Sequence, residues 1–246
     1  MTKEIPTSWH GRSYLQPESL SEMALPKKIR GDLEIFIGGD FWGLLLVGDI
    51  GTGKTTIANI ISRKFKKEIG SVYDKYGGMD FGGTGGQKKF LKEIINNSQT
   101  KMVIGRERQK LFVIDEAQYL SMKTLQPHLK TAMQNSQDNT SWIFTSNSQE
   151  AISEGVQERC EIINFPELVE HEKTGKLLIE DTFGMTEKEW HHELINSGNV
   201  VAEKLGISIP KSIYDSVLSK AGNLVSGRSF IKGLSKEYKL WERAQK

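Results

Sequence analysis

Hydrophobic positions along the chain fall into two regimes that meet at Pro166. Before it, short apolar runs bounded by glycine or polar residues alternate with stretches of helical period. Trp42 to Val47, Leu111 to Ile114, Trp142 to Thr145 and Cys160 to Phe165 are the runs. Continuous apolar segments of this length predict strands buried on both faces. Residues 27–38 (KKIRGDLEIFIG) carry an amphipathic helical pattern that stops at Gly38 and Gly39. Further helical patterns cover Lys54 to about Lys67, Gln87 to Asn97 and Met122 to Asn135. Strands alternating with helices predict an α/β fold on a parallel sheet. Residues 77–86 (GGMDFGGTGG) are too glycine-dense for either element and read as a loop.

Beyond Pro166 the pattern is helical throughout, with helices predicted at about 170–181, 186–197, 198–206, 210–221 and 226–243. The change predicts two domains, residues 1–166 and residues 167–246. The first begins with a polar arm of about 26 residues, punctuated by Pro6, Pro17 and Pro26, that reads as extended with at most one short helix. No internal repeat is visible.

Composition narrows the class. Of 246 residues, 37% are hydrophobic and 26% charged, which is ordinary for a soluble globular protein. With 33 basic against 31 acidic residues the net charge is +2, so any contact with nucleic acid must come from a local basic surface. The single cysteine, Cys160, excludes an intramolecular disulfide framework. The N-terminal MTKEIPTSWHGRSY has no apolar signal-peptide core, and no apolar run approaches the ~18 residues that span a bilayer. These features predict a soluble cytoplasmic protein without a membrane partner.

The candidate chemistry starts at Gly48-Asp49-Ile50-Gly51-Thr52-Gly53-Lys54-Thr55, with Thr56 following. It matches G-x-x-x-x-G-K-[ST], the phosphate-binding P-loop, and it sits between a predicted strand and a predicted helix as that motif requires. Glycines let successive backbone N–H groups turn toward phosphate oxygens, and the helix N-terminus adds positive potential. Lys54 would reach the β- and γ-phosphates, and the Thr55 hydroxyl would ligate Mg²⁺. The expected ligand is a nucleoside triphosphate, ATP with Mg²⁺. Next, Asp115 and Glu116 close the Leu111–Ile114 strand, at the end where ligands bind open α/β sheets. Asp115 can orient Mg²⁺ and Glu116 can polarise a water; the bland alternative is a solvated acidic turn. Finally, Asn147 follows the third apolar run, where an amide can hold water or γ-phosphate, although Ser-Asn after a strand is also a common turn.

With these three motifs in this order the chain resembles the AAA+ ATPases, and among them the clamp-loader ATPase subunits, over nearly its whole length. The resemblance implies a five-stranded parallel P-loop core flanked by helices, followed by a small all-α lid. Leu15-Gln16-Pro17-Glu18-Ser19-Leu20-Ser21-Glu22 is similar to the family's Y-R-P-x-x-L-x-E segment, with Gln16 replacing the arginine. By that likeness Met23, Leu25 and Pro26 would help to hold the adenine. Asp115 and Glu116 match Walker B, in Asp-Glu-Ala-Gln where the family often has D-E-A-D, and Asn147 matches sensor 1. Glu158-Arg159-Cys160 is similar to the loader S-R-C motif, which implies that Arg159 is an arginine finger acting on ATP held by a neighbouring subunit. The alternative is a surface arginine paired with Glu158 or Glu161. Gly227-Arg228-Ser229-Phe230-Ile231-Lys232 is similar to the sensor 2 segment, with Arg228 one or two positions early. Arg228 would then reach its own γ-phosphate, or else be a first-turn surface residue. Lys88, Lys89, Arg106 and Arg108, with Lys110, are candidates for DNA contact, because loader helices near these segments line a DNA-tracking chamber.

The implied function is an ATP-hydrolysing subunit of a DNA sliding-clamp loader. Its partners would be other AAA+ subunits, a sliding clamp and primer–template DNA. A helicase loader or another AAA+ DNA-remodelling ATPase is the alternative, and an ATP-binding switch without turnover a third. Loader subunits usually carry a further C-terminal collar domain, whereas this sequence ends just after the apparent lid; that layout points to a phage or mobile-element source.

Overall fold

A computed structural model describes residues 5–6, 8–9, 12–38, 42–69, 72–77, 92–98, 110–120, 124–136, 140–165, 185–221 and 226–245. The apolar runs become strands: β1 (Gly43–Val47), β3 (Lys110–Asp115), β4 (Thr140–Ser146) and β5 (Glu161–Asn164). A fifth, β2 (Val72–Gly77), pairs with β3. The periodicity did not predict it, because Asp74 and Lys75 interrupt its apolar residues. The sheet order is β2-β3-β4-β1-β5, and every pairing is parallel. β2 is therefore an edge strand, with one neighbour, and does not need the continuous apolar sequence of the central strands. β1 is buried at every position and β4 likewise, whereas β5, at the other edge, buries only Ile163.

Two compact units divide the chain: one comprises the described residues within 33–50 and 57–165, the other those within 1–32, 51–56 and 166–246. In the first, one cluster joins Leu45, Phe112, Ile114, Leu129, Met133, Trp142 and Phe144. Register places Phe112 beside Trp142, and their rings stack at 4.7 Å. Strand β4 thus supplies aromatic mass to the core face through Trp142 and Phe144, two residues apart. The helices of this unit are the later turns of α1 (Lys27–Gly38) and α2 (Lys54–Ile69), whose first turns belong to the other unit, then a helical segment α3 at 92–98, α4 (Gln126–Gln134) and α5 (Glu154–Gln157). α4 starts later than the predicted Met122. Pro127 is the reason: it has no N–H and its ring excludes a preceding helical turn, so it sits in the first turn. Upstream, Ala117–Tyr119 form a 3-10 turn instead. Gln126 anchors the start of α4, donating to the Leu120 and Ala151 carbonyls and accepting from the Ser153 N–H.

The second unit is helical: α6 (Glu187–Leu205), α7 (Lys211–Ala221) and α8 (Gly227–Ala244). The helix predicted at 170–181 lies outside the described residues. α6 opens with a capping box, Thr186 accepting from Glu189 N–H while the Glu189 carboxylate accepts from Thr186 N–H, and it closes at Gly206 with φ 69°. Sequence predicts two helices here, at about 186–197 and 198–206; the structure has one continuous helix. Gly198 is there for contact. A Cβ on it would lie 2.7 Å from Leu234 Cδ1 and 2.9 Å from Tyr214 Cε1. This position is where α6 packs directly on α7 and α8.

The N-terminal segment packs on these helices. Trp9 and Leu15 belong to their core cluster, and the Trp9 and Tyr238 rings are 5.6 Å apart. Lys204 donates to the Gln16 carbonyl at 2.8 Å and to Glu22 at 2.7 Å. Lys27 pairs with Glu189, and Arg30 with Glu193 and the Leu20 and Met23 carbonyls. Among the described residues no helix is long and apolar enough to cross a membrane.

Candidate nucleotide site

In a parallel sheet the C-terminal strand ends share one edge, which is where such sheets bind ligands. β1 ends there at Val47, β3 at Asp115 and β4 at Ser146, with Val47 opposite Ser146 in register. The Gly48 N–H donates to the Ser146 carbonyl at 3.2 Å, so the glycine-rich loop leaves directly from the hydrogen-bonded ladder. Gly48 has φ 151°, and a Cβ there would meet Phe165 Cβ at 2.6 Å, so only glycine fits this exit. Asp49 and Ile50 follow on the surface, Ile50 with 77% of its area exposed.

Asp115 and Glu116 are organised by Thr145, from the adjacent strand. The Thr145 hydroxyl donates to Asp115 Oδ1 at 2.6 Å and accepts from the Glu116 N–H at 2.9 Å. Glu116 has φ 56° and ψ 45°, the one non-glycine residue with positive φ among those described. Such a conformation costs of order 1–3 kcal/mol and persists where surroundings enforce it. The Asn147 N–H donates to Gln118 Oε1 at 3.4 Å, while Gln118 Nε2 is buried with no hydrogen-bond partner among the described residues. Gln118 is the residue that departs from the D-E-A-D pattern, and it touches Asn147. Thr145 and Gln118 left no signal in spacing: one is a hydroxyl inside an apolar run, the other a polar residue in a turn.

Arg159 follows α5. Its guanidinium donates to the Gly155 carbonyl at 2.7 Å and lies 3.8 Å from Glu158. The side chain is thus held by its own turn and keeps a minority of its surface exposed. The neighbouring Cys160 packs against the sheet core, and burial pushes its thiol up to about 12, with Arg159 pulling it down and Glu161 pushing it up.

The rest of the loop lies in the helical unit. Gly51 and Gly53 have φ 98° and 99°, a backbone conformation that glycine enters without strain. Lys54 is buried, 7% exposed, and its ammonium lies 3.5 Å from Thr52 Oγ1. Thr55 and Thr56 form the first turn of α2. Met23 covers the loop: a Cβ on Gly53 would come within 2.7 Å of its Cε. Leu25 is fully buried in the same unit. On the other side, a Cβ on Gly51 would be 3.7 Å from Ser226 Oγ and 3.8 Å from Arg228 Cδ. Ser226 caps α8 by accepting from the Ser229 N–H, so Arg228 sits in the first turn of that helix, beside the loop. Within the helical unit, a buried cation, a glycine backbone at positive φ and a hydroxyl at Thr55 suit phosphate oxygens; within the sheet unit, Asp115 offers a carboxylate, a group that suits Mg²⁺.

Lys88, Lys89, Arg106 and Arg108 lie outside the described residues. Lys110, grouped with them in the sequence, is buried and donates to the Asn97 carbonyl at 2.7 Å; it is a strand residue tied to α3, not part of a basic surface.

The model of the ATPase family associated with various cellular activities (AAA) matches residues 44–168. The chain belongs to this family. It is 25% identical over 223 residues to a replication factor C small subunit 2 of Pyrobaculum arsenaticum, covering 87% of this chain and 68% of that one. A sliding-clamp-loader large subunit of Escherichia phage RB69 is 29% identical over 127 residues, covering 52% of this chain and 37% of the relative. Among solved structures, a RuvB variant of Thermotoga maritima superposes with a TM-score of 0.65 at 18% identity, over 95% of this chain and 68% of that one. This last likeness is one of fold.

Proposed function

We propose that this chain is an ATP-hydrolysing subunit of a DNA sliding-clamp loader that works beside other AAA+ subunits on primer–template DNA. The observation that carries the reading is the meeting of Gly48, Asp115, Glu116 and Asn147 at one edge of a parallel sheet in a chain of this family. The names of the replication factor C and phage relatives favour clamp loading over helicase loading. In this reading residues 1–166 form the nucleotide-binding core and 167–246 the lid. The backbone from Gly48 to Thr55 and the Lys54 ammonium hold the phosphates, while Met23 and Leu25 flank the base. Thr55 and Asp115 hold Mg²⁺, which supplies positive charge to the phosphate oxygens when bound. Glu116 removes a proton from the attacking water, and Asn147 orients that water. Arg228 adds positive charge from the first turn of α8. Arg159, preorganised by the Gly155 carbonyl, is offered to the nucleotide of a neighbouring subunit. Lys88, Lys89, Arg106 and Arg108 serve DNA.

The test is steady-state ATP hydrolysis with and without primed DNA, alongside native mass measurement. Stimulation by primed DNA is expected, with Glu116→Gln losing roughly 10²–10⁴ in rate while still binding ATP. Arg159→Ala should lose the DNA-stimulated component with assembly intact. Unchanged activity in that variant sinks the finger role, and capture of a replicative helicase in place of a ring clamp favours the helicase-loader alternative.

A further inference from the structure

Thr145 reads in the sequence as one more position of an apolar strand. In the structure it is 1% exposed, and its single hydroxyl is used twice, toward the last residue of the adjacent strand, Asp115, and the acidic residue that follows it, Glu116. Strand side chains alternate between faces, so a continued β3 would send Glu116 to the face opposite Asp115. The left-handed backbone at Glu116 ends that alternation at the sheet edge. Accepting from the Glu116 N–H stabilises that conformation, and donating to Asp115 Oδ1 fixes the rotation of the first carboxylate. A serine could do both, whereas valine has the same shape and could do neither.

We propose that Thr145 is a positioning residue for the acidic pair: its hydroxyl holds Glu116 in the left-handed conformation and orients the Asp115 carboxylate for the cation. This rests on the hydrolytic reading of Asp115 and Glu116. Residues that orient a metal ligand typically change metal affinity or activity by about 10–100-fold when removed. Thr145→Val is therefore expected to lower kcat by about that factor, and to raise the Mg²⁺ concentration needed for tight binding of an N-methylanthraniloyl ATP. Its affinity for the same analogue at saturating Mg²⁺ should hold. Thr145→Ser should restore both. Thr145→Ala, with no hydroxyl and less bulk, carries the same prediction if the valine variant does not fold.

A crystal structure of Thr145→Val or Thr145→Ala gives a readout independent of turnover: Glu116 should leave the positive-φ region. Wild-type kcat and Mg²⁺ dependence in the hydroxyl-free variants, or Glu116 unchanged in their structures, overturns the proposal. So does a loss shared equally by the serine variant, with melting temperature and analogue binding falling together, since that marks a packing role. Glu116→Gln in the same assay separates the two ideas. If it hydrolyses ATP as the wild type does, the hydrolytic reading fails, and the crystallographic outcome still decides what Thr145 holds.

Discussion

Two glycines in helices of one unit should respond to the same substitution with opposite signs. Gly198 lies in α6 and Gly31 in α1, and both belong to the helical unit. Replacing a helical glycine by alanine gains about 1 kcal/mol in backbone propensity. A Cβ on Gly31 meets nothing within 4 Å, so Gly31→Ala should keep that gain. At Gly198 the added carbon would lie 2.7 Å from Leu234 Cδ1, 2.9 Å from Tyr214 Cε1 and 3.3 Å from Phe230 Cε1. None of these has room to retreat: Leu234 and Phe230 are fully buried, and the Tyr214 hydroxyl is bound to Asn199 Oδ1 at 2.7 Å. Overpacking of this kind costs about 1–3 kcal/mol. The net effect of Gly198→Ala should therefore lie between zero and about 2 kcal/mol of destabilisation, and it should fall about 1–3 kcal/mol below Gly31→Ala. Urea denaturation followed by far-UV circular dichroism measures both, provided the slopes stay equal. If Gly198→Ala gains as much as Gly31→Ala, α6 does not pack on its neighbours through this position, and the account of the uninterrupted helix is wrong.

Other perturbations test separate parts of the molecule. Gln126→Leu strips the carbonyls of Leu120 and Ala151 and the N–H of Ser153 of a buried partner, and should cost at least about 2 kcal/mol by denaturant titration; a loss below about 0.5 kcal/mol refutes that network. Acid should loosen the contact between the N-terminal segment and α6. Burial raises the Glu22 carboxyl, but Lys204, the Glu18 N–H and Ser19 outweigh it and hold the group below its ordinary 4.5. Lys27, then the Thr186 N–H and hydroxyl, hold Glu189 down to about 2. A depressed carboxylate stabilises the fold fully above its unfolded value and loses that contribution as pH falls through the folded one. Stability should thus decline between about pH 4.5 and about pH 2, and less steeply in a Glu22→Gln, Glu189→Gln double variant; parallel curves would contradict these pairings. Cys160, with its thiol raised to about 12, should ignore iodoacetamide at neutral pH until the protein unfolds, as mass spectrometry of alkylated samples would reveal.

The strands at the centre of the sheet were legible because burial on both faces demands an uninterrupted apolar run, as in Leu111 to Ile114. β2 was not, because an edge strand tolerates Asp74 and Lys75. The glycine loop was legible because its backbone needs glycine at fixed spacing, and the structure gives Gly48, Gly51 and Gly53 positive φ. The single helix over Glu187–Leu205 was not legible as one, because a glycine such as Gly198 inside a helical pattern marks either a break or a close approach, and sequence does not say which. Asp115 and Glu116 could be picked out as an acidic pair after a strand, but not the hydroxyl that joins them. Thr145 reaches them through strand register, thirty residues away in sequence for Asp115, and register is fixed only once the sheet forms.

The left-handed backbone at Glu116 also sets two kinds of selection against each other. Glu116→Gly or Glu116→Asn would relax that backbone, since both residues enter this region readily, and would remove the carboxylate at the same stroke. A library sorted on heat resistance should enrich these replacements, while one sorted on nucleotide turnover should discard them. Sequencing both pools at this one codon would show whether the chain gives up some stability to keep an acid there.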